Sequence, residues 1–452
     1  MSNALDIGGR LEPLVDDYLV SSMEGCALVL HPPQAQEVAI AHTEPWEGTT
    51  SFSHTLFRSG DILRMYYRGS HYDESSGELK PTHEVTCYAE SRDGITWEKP
   101  ALGLREFDGS KENNIILAGE AGSHDFVPFK DENPACPPDE RYKAVARKRK
   151  AGLLYFVSAD AVNWTLKQPD PIITKGAFDS QNLAFRDPLK EKYIDYHRDF
   201  RDGVRDIVTC ESDDFLTWTD PEWITYPGAP DEHLYTNRIA PYYRAPHIYF
   251  GFPKRFVPDR NVSGHPAKGV SDAVFMSSRD GRAFRRWQEA YIRPGLQESR
   301  WVNRNNFIAW GLVETDSKLD GGGPEISLYS AEAYYRGDGT RMRRFTTRLD
   351  GFVSMHAPPS GGEFVTKPIT FDGSSLHINF STSAPGSVEL EVLGEDEKRI
   401  DGFTFEDFGV IYGDSVDCTF DPPNRSFREL AGTPVRLRFR MADADLYSVR
   451  FA

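Results

Sequence analysis

Four times in this chain a strand-like run ends in Ser-x-Asp-x-x-x-aromatic, beginning at Ser91, Ser158, Ser212 and Ser278 and closing at Trp97, Trp164, Trp218 and Phe284. The copies recur at intervals of about 54 to 67 residues, the scale of a four-stranded propeller blade with loop insertions. The Ser and Asp side chains hydrogen-bond the backbone of a tight turn, and a glycine after the Asp takes the awkward dihedral. The aromatic ring wedges between neighbouring blades. Such a repeat predicts a β-propeller, whose inner strands all begin at one central funnel.

Tracking strand-like runs between these turns gives five blades. They start near Ser51, Asp125, Asp179, Glu232 and Trp301, and the last has a degenerate closing turn. The run at residues 15–20 is expected to be the strap that completes the last blade. From about Gly361 the pattern changes: Leu376/Ile378/Phe380, Val388/Leu390/Val392 and Val435/Leu437/Phe439/Met441 alternate with polar residues such as Arg436, Arg438 and Arg440. Period-two alternation means half-buried antiparallel strands. The expected fold class is therefore all-β: a five-bladed β-propeller over residues 1–355, strap included, followed by a C-terminal antiparallel β-sandwich over residues 356–452.

Composition narrows the partners. The chain carries 52 Lys+Arg against 69 Asp+Glu, a formal net charge of −17. That field argues against nucleic acid and against anionic membrane surfaces. Acidic carbohydrate polymers are poor long-range partners too, unless local arginine clusters override the mean field. Aromatics at 12%, with 30 Pro and 37 Gly, suit a turn-rich all-β protein with a sugar-binding cleft. No apolar run reaches the ~18 residues of a membrane span. The N-terminus lacks the basic and apolar regions of a signal peptide, and Cys26, Cys87, Cys136, Cys210 and Cys418 are odd in number and widely spaced. Reduced thiols and a cytoplasmic location are expected.

The candidate chemistry lies where the inner strands begin. Glu47, Asp125, Asp179 and Glu232 stand near the starts of successive blades, so these acids are expected to converge, with Glu47 at the rim of the pocket. A carboxylate pair, foremost Asp179 with Glu232, can protonate a glycosidic oxygen and attack the sugar or activate water. Gln181, Asn182, His233 and Asn237 offer donors and acceptors that match sugar hydroxyls, and Arg304 adds a cation. Trp46 and Trp301 offer flat faces to a sugar ring. Around blades three and four Arg198, Arg205, Arg244 and Arg255 exceed what a neutral sugar requires; one or two of them suit an anionic group. No His/Asp/Glu cluster has ligand spacing, so neither a catalytic metal nor another cofactor is expected. Asp16 and Asp17 read as structural.

Several of these stretches carry a resemblance: Val15-Asp16-Asp17-Tyr18-Leu19, Trp97-Glu98-Lys99-Pro100 with Leu102-Gly103, and Gly109-Ser110-Lys111 with Asn113-Asn114. Phe178-Asp179-Ser180-Gln181-Asn182 and Glu232-His233-Leu234-Tyr235-Thr236-Asn237 complete the set. On them the chain resembles the five-bladed propeller glycosidases, the superfamily of invertases, levansucrases and arabinanases, and more closely bacterial proteins related to glycoside hydrolase family 32. The resemblance covers nearly the whole chain and implies a glycoside hydrolase acting on an oligo- or polysaccharide through paired carboxylates in the funnel. The invertase pattern itself is broken. Arg186-Asp187-Pro188 falls after an inner strand, and the Glu-Cys acid is absent, Cys210-Glu211 being reversed. The turn also differs from the sialidase Asp-box, because its glycine comes one residue early. A glycoside phosphorylase and a non-catalytic carbohydrate-binding propeller are the alternatives.

Overall fold

The computed structural model describes residues 4–72, 81–119, 122–262, 265, 267–335 and 339–452. In all four repeated turns the serine hydroxyl accepts the N–H three residues on, from Gly94, Ala161, Phe215 and Gly281, at 2.8, 2.9, 2.9 and 3.0 Å. The Asp Oδ1 accepts the next two N–H groups at 2.7 to 2.9 Å in every copy. The residue after the Asp is left-handed each time, with φ of 73°, 66°, 66° and 76°. Glycine fills that position in only two copies. Ala161 and Phe215 fill it in the others, where the side-chain hydrogen bonds offset the backbone strain.

A second contact recurs with the turn. Tyr66 donates its hydroxyl to the Ala161 carbonyl at 2.6 Å, Tyr196 to that of Gly281 at 2.7 Å, and Tyr329 to that of Gly94. In each case the tyrosine and the turn belong to different sheets. A Cβ on Gly281 would come within 2.7 Å of the Tyr196 hydroxyl, so glycine makes room there. At the remaining turn the Phe215 ring takes the place of this bond, packing on Tyr155 with centroids 4.8 Å apart.

The strands between the turns form antiparallel meanders. The first comprises Phe52–Ser59, Ile62–Tyr72, Pro81–Ser91 and Ile115–Ala118; the second Val127–Lys130, Tyr142–Lys148, Gly152–Ser158 and Thr165–Leu166. The third comprises Leu183–Arg186, Tyr193–Arg201, Val204–Ser212 and Glu222–Trp223. The fourth is bent into two ladders. His233–Thr236, Lys254–Val257 and Val270–Ala273 form one, and Ala240–Tyr242, Ala245–Gly251, Met276–Ser278 and Arg285–Arg286 the other. Bonds from Phe252 N–H to Asn237 O and from Val274 N–H to Pro253 O carry the pairing across the bend.

The fifth meander runs through Val313–Asp316, Pro324–Glu332 and Arg341–Arg348, and its outer strand is Gln34–Ala41. This corrects the expected strap. Residues 15–19 form bends rather than a strand, because the Asp16 carboxylate accepts the Tyr18 N–H at 3.1 Å in an Asx turn.

Two units emerge from the contacts: residues 33–242 with 246–346, which hold the meanders, and residues 1–32, 243–245 and 347–452. The N-terminal 32 residues thus group with the C-terminal strands instead of with the meanders. In the second unit Leu376–Gly394 pairs along most of its length with Val435–Phe451, and the apolar sets read from the alternation are all buried. Arg438 on the opposite face meets Glu363 at 2.7 Å and Glu391 at 2.9 Å. All five cysteines are free thiols, and among the described residues no helix is long and apolar enough to cross a membrane.

The turn makes a testable demand. Burial pushes the Asp160 carboxyl up, but Asn163, Val162 and Ser158 donate to it and hold it at about 2. Asp160→Ala is expected to lower stability by about 1–2 kcal/mol near pH 7 in urea titrations, the magnitude of lost charge-assisted hydrogen bonds. Because folding depresses this pKa, the contribution is complete above the unfolded value of about 4 and vanishes as pH falls toward 2. The gap between wild type and variant should close over that window.

Candidate active site

Two side chains in left-handed backbone meet where the first and second meanders begin. Ser53 (φ 57°) donates its hydroxyl to Asp125 (φ 54°), whose residue is 2% exposed. Left-handed backbone at both positions costs strain, which the hydrogen bond between them helps to hold. His124 completes the cluster. Its Nε2 lies 3.0 Å from Asp125 Oδ2 and 3.4 Å from Asp179 Oδ1, and its Nδ1 lies 2.7 Å from Glu84 Oε1.

Three carboxylates around one imidazole fix its charge. Burial pulls the His124 pKa down, but the Asp125 charge and the hydrogen bonds to Asp125, Asp179 and Glu84 push it up to about 11. His124 is therefore an imidazolium at neutral pH. Burial pushes Asp125 up, yet His124, the Arg68 charge and the Ser53 hydroxyl hold it well below the usual carboxylate range. For Asp179 the His124 hydrogen bond outweighs burial and, with Arg147 at 2.7 Å, keeps the carboxyl at about 2. Asp179 is the accessible acid, its side chain 58% exposed.

Cations stand beside these acids. Tyr235 donates to the Asp179 carbonyl at 3.3 Å, and its ring has Lys254 Nζ at 4.3 Å, the Arg198 guanidinium at 5.0 Å and that of Arg205 at 5.5 Å from its centroid. Lys254 is fully buried and donates to Asn303 Oδ1 at 3.0 Å. Arg304 reaches the Tyr334 hydroxyl at 3.1 Å, which Arg68 also reaches at 3.0 Å. Burial, then the charges of Arg304, Arg205, Arg238 and Arg198, push the Lys254 pKa well down.

Of the residues expected in the site, Asp125, Asp179 and Arg304 come together. Glu232 does not. It pairs with Arg255 at 3.3 Å and with Arg286, and lines a separate cavity with Arg201, Asp206 and Tyr226, because the fourth meander bends just beyond it. Glu47 is not at a rim. It is fully buried, 2.7 Å from Lys99, 3.3 Å from His42 and 2.5 Å from the Tyr67 hydroxyl.

Several expected sugar ligands are interior struts. Gln181 donates to Thr55 Oγ1 at 2.7 Å and to the Ser53 and His54 carbonyls. Asn182 donates to the Phe178 and Ser180 carbonyls, and Asn237 to that of Tyr196. His233 accepts the Arg205 N–H at 3.1 Å. The Trp46 indole donates to Asn114 Oδ1 at 2.7 Å with its ring against Phe107, and Trp301 lines a different cleft with Arg255, Arg293 and Pro294.

His124, Glu84, Arg147, Lys254, Tyr235 and Arg68 were missed as site residues. A signal existed for four of them: His124 stands beside Asp125, and Tyr235 lies in the stretch Glu232-His233-Leu234-Tyr235. Arg68 ends the apolar run Met65-Tyr66-Tyr67, and Lys254 opens a strand at an inward position. The expectation that no ligand set exists also needs refinement. Ligand atoms of His124, Asp125 and Asp179, and of Asp195, His197 and Cys210, lie within 4.8 Å of one another. The first set draws on the loops before the second and third meanders, and the second on the neighbouring strands Tyr193–Arg201 and Val204–Ser212, so neither is complete in linear spacing. Hydrogen bonds already engage the second set, His197 binding Asp195 and, at 2.9 Å, the Lys175 carbonyl.

No protein-family model and no curated protein matches this sequence. Solved structures with a similar chain path include a family 43 arabinoxylan arabinofuranohydrolase from Bacillus subtilis, in complex with cellotetraose. It is 11% identical, covers 93% of this chain and 99% of its own, and has a TM-score of 0.44. The Bombyx mori GH32 beta-fructofuranosidase is 11% identical with coverages of 93% and 94% and a TM-score of 0.43. A structure from the GH130 family of mannoside phosphorylases is 16% identical with coverages of 74% and 96% and a TM-score of 0.43. At these identities and scores the likenesses bear on neither substrate nor site residues.

The burial of Glu47 sets an expectation. Burial pushes its carboxyl up, but His42 and Lys99 hold it at about 2. Glu47→Gln leaves Lys99 without its counter-charge and His42 without its carboxylate partner, and should cost about 3 kcal/mol in urea unfolding, the usual effect of breaking a buried pair. With a depressed folded pKa, that loss should shrink as pH falls below the unfolded value of about 4.3 toward 2.

Proposed function

We propose that the five meanders are the blades of a five-bladed β-propeller, that the second unit is a β-sandwich, and that the propeller is a retaining glycoside hydrolase acting on an oligo- or polysaccharide. The propeller reading is supported by bonds that link the meanders in a ring. Tyrosine-to-turn bonds join the fifth to the first, the first to the second and the third to the fourth. The Trp310 indole donates to the Ile239 carbonyl at 3.0 Å, joining the segment before the fifth to the fourth. Phe215 packs on Tyr155 between the second and third.

The observation that carries the enzymatic reading is the proximity of two carboxylates from different meanders, Asp125 and Asp179, with oxygens within 4.8 Å. That spacing belongs to the retaining class, in which one carboxylate attacks the anomeric carbon, rather than to the wider inverting class with its intervening water. It replaces the expected pair of Asp179 with Glu232. Like charges this close ordinarily force a proton onto one of them. The imidazolium of His124 lies between them and lets both remain ionised.

Roles follow from exposure. Asp125, ionised and shielded from water, is the nucleophile. Asp179, open to solvent, is the acid and base. A saccharide seated on Asp179 strips its water and raises its proton affinity, and the His124 N–H at 3.4 Å supplies the proton. The proton passes to the leaving oxygen as the glycosidic bond breaks and Asp125 forms the glycosyl ester. Water, deprotonated by Asp179, then attacks the anomeric carbon and breaks the ester to Asp125, releasing the sugar with its configuration retained, and the proton on Asp179 returns to His124.

A panel of aryl glycosides and oligosaccharides tests this. Asp125→Asn and Asp179→Asn should each lower kcat at least about a thousandfold while the far-ultraviolet circular dichroism is unchanged. Aryl glycosides with acidic leaving groups should restore cleavage by Asp179→Asn far more than by Asp125→Asn, since they need no acid. Product of inverted configuration in the proton NMR spectrum overturns the retaining mechanism. Absence of turnover on every sugar overturns the enzyme.

A further inference from the structure

Lys254, Arg198, Arg205 and Arg304 gather around Tyr235, and among the described residues no carboxylate forms an ion pair with any of them. Their hydrogen-bond acceptors are neutral. Lys254 uses Asn303 Oδ1 at 3.0 Å, Arg198 the Ala177 carbonyl at 3.2 Å and Arg304 the Tyr334 hydroxyl at 3.1 Å. Arg205 Nε is buried without a partner, and so are Arg68 Nε and both terminal nitrogens of Arg238. Elsewhere in the chain arginines do find acids, as Arg343 finds Glu332 at 3.0 Å and Arg344 finds Glu325 at 3.0 Å. In a protein with net charge −17 acids are in excess, so a cation cluster without them is not forced by composition.

Such a cluster is costly in the empty protein. Burying an ammonium group without a counter-charge disfavours folding, and each nearby guanidinium adds repulsion. The Tyr235 ring offsets part of this by cation–π attraction, about 0.5–2 kcal/mol per cation. Burial and the charges of Arg304, Arg205, Arg238 and Arg198 push the Lys254 pKa well down, with Asn303 and the Tyr235 ring as its other neighbours. An anion bound on Arg205 and Arg304 beside Lys254 reverses both effects.

We propose that Lys254, Arg198, Arg205 and Arg304 form an oxyanion subsite beside the reacting acids, which receives a carboxylate or sulfate ester on the saccharide or free inorganic phosphate. The planar forks of the three arginines suit two or more oxygens at once, and Lys254 supplies a point charge. Solvent reaches the cluster, since Arg205, Tyr235 and Arg304 are all partly exposed. The Tyr235 hydroxyl, 3.3 Å from the Asp179 carbonyl, places the anion next to the bond to be cleaved. The position of the subsite on the substrate rests on the glycosidase reading; its charge preference does not.

Calorimetric titration of the catalytically disabled Asp125→Asn protein separates the two. Sodium phosphate, sodium sulfate and methyl glucuronide are the probes at low ionic strength, with methyl glucoside as the neutral control. At least one anion should bind, and binding should weaken as sodium chloride screens the cluster. Lys254→Met and Arg205→Gln, each introduced separately into the same protein, should weaken it at least tenfold. Because Lys254→Met removes an uncompensated charge, it should melt no lower than its parent. Binding of phosphate alone identifies a free phosphate ligand, and binding of glucuronide or sulfate identifies an anion borne on the sugar. The inference is overturned when no anion binds more tightly than methyl glucoside, or when both variants bind the anions as their parent does. Anion binding without turnover of any saccharide by the wild type would retain the subsite and discard the glycosidase.

Discussion

A tyrosine hydroxyl bound to the carbonyl of a left-handed turn residue is the contact on which the arrangement of the meanders depends. A left-handed residue turns its carbonyl out of the hairpin ladder, and burial then removes water as a partner. Tyr66, Tyr196 and Tyr329, each at most 1% exposed, supply the missing donor from another sheet. Losing such a bond would leave two buried polar groups unsatisfied at about 1–3 kcal/mol each. The bond is directional as well as stabilising. It sets how one sheet lies on the next, and therefore where their leading residues meet. Ser53, Asp125, Gln181 and Arg238 all stand at such leading positions.

That same turn explains what was legible in the sequence. Side-chain-to-backbone bonds within seven residues are local, so Ser-x-Asp-x-x-x-aromatic announces the turn wherever it occurs. The period-two alternation of Leu376/Ile378/Phe380 with its partner set at Val435/Leu437/Phe439/Met441 is local too, and its inward face is buried as read. Strand partnership is not local. Residues 15–20 read as the closing strand, whereas the structure uses Gln34–Ala41. The second pairs with Arg341–Arg348, while Asp16 turns the first into a bend.

Site residues were harder to read because proximity to a strand start says little about where a side chain points. Asp125 and Asp179 lie together because each precedes the first strand of its meander, where the first bonds cross to the first meander, Ser53 to Asp125 and Gln181 to Thr55. Glu232 stands at the corresponding place in the fourth meander, but the bend after Thr236 and the guanidinium groups of Arg255 and Arg286 hold it elsewhere. Gln181, Asn182 and Asn237 have the donors of sugar ligands and use them on backbone carbonyls. An amide next to a catalytic acid looks the same in sequence whether it holds substrate or holds the chain.

The electrostatics of the centre follow from one sharing arrangement. His124 carries a single positive charge between Glu84, Asp125 and Asp179, so three carboxylates are balanced by one imidazolium helped by Arg68 and Arg147. Tyr235 donates its hydroxyl to the Asp179 carbonyl, and its ring has Lys254, Arg198 and Arg205 around it. Among the described residues none of these three cations forms an ion pair with a carboxylate, whereas Arg147 pairs with Asp179 at 2.7 Å. Under the proposed glycosidase reading the acid serves the glycosidic oxygen and the cations serve an anion on the ligand. Folding stability alone would favour pairing these cations with acids, so leaving them unpaired is a cost to folding.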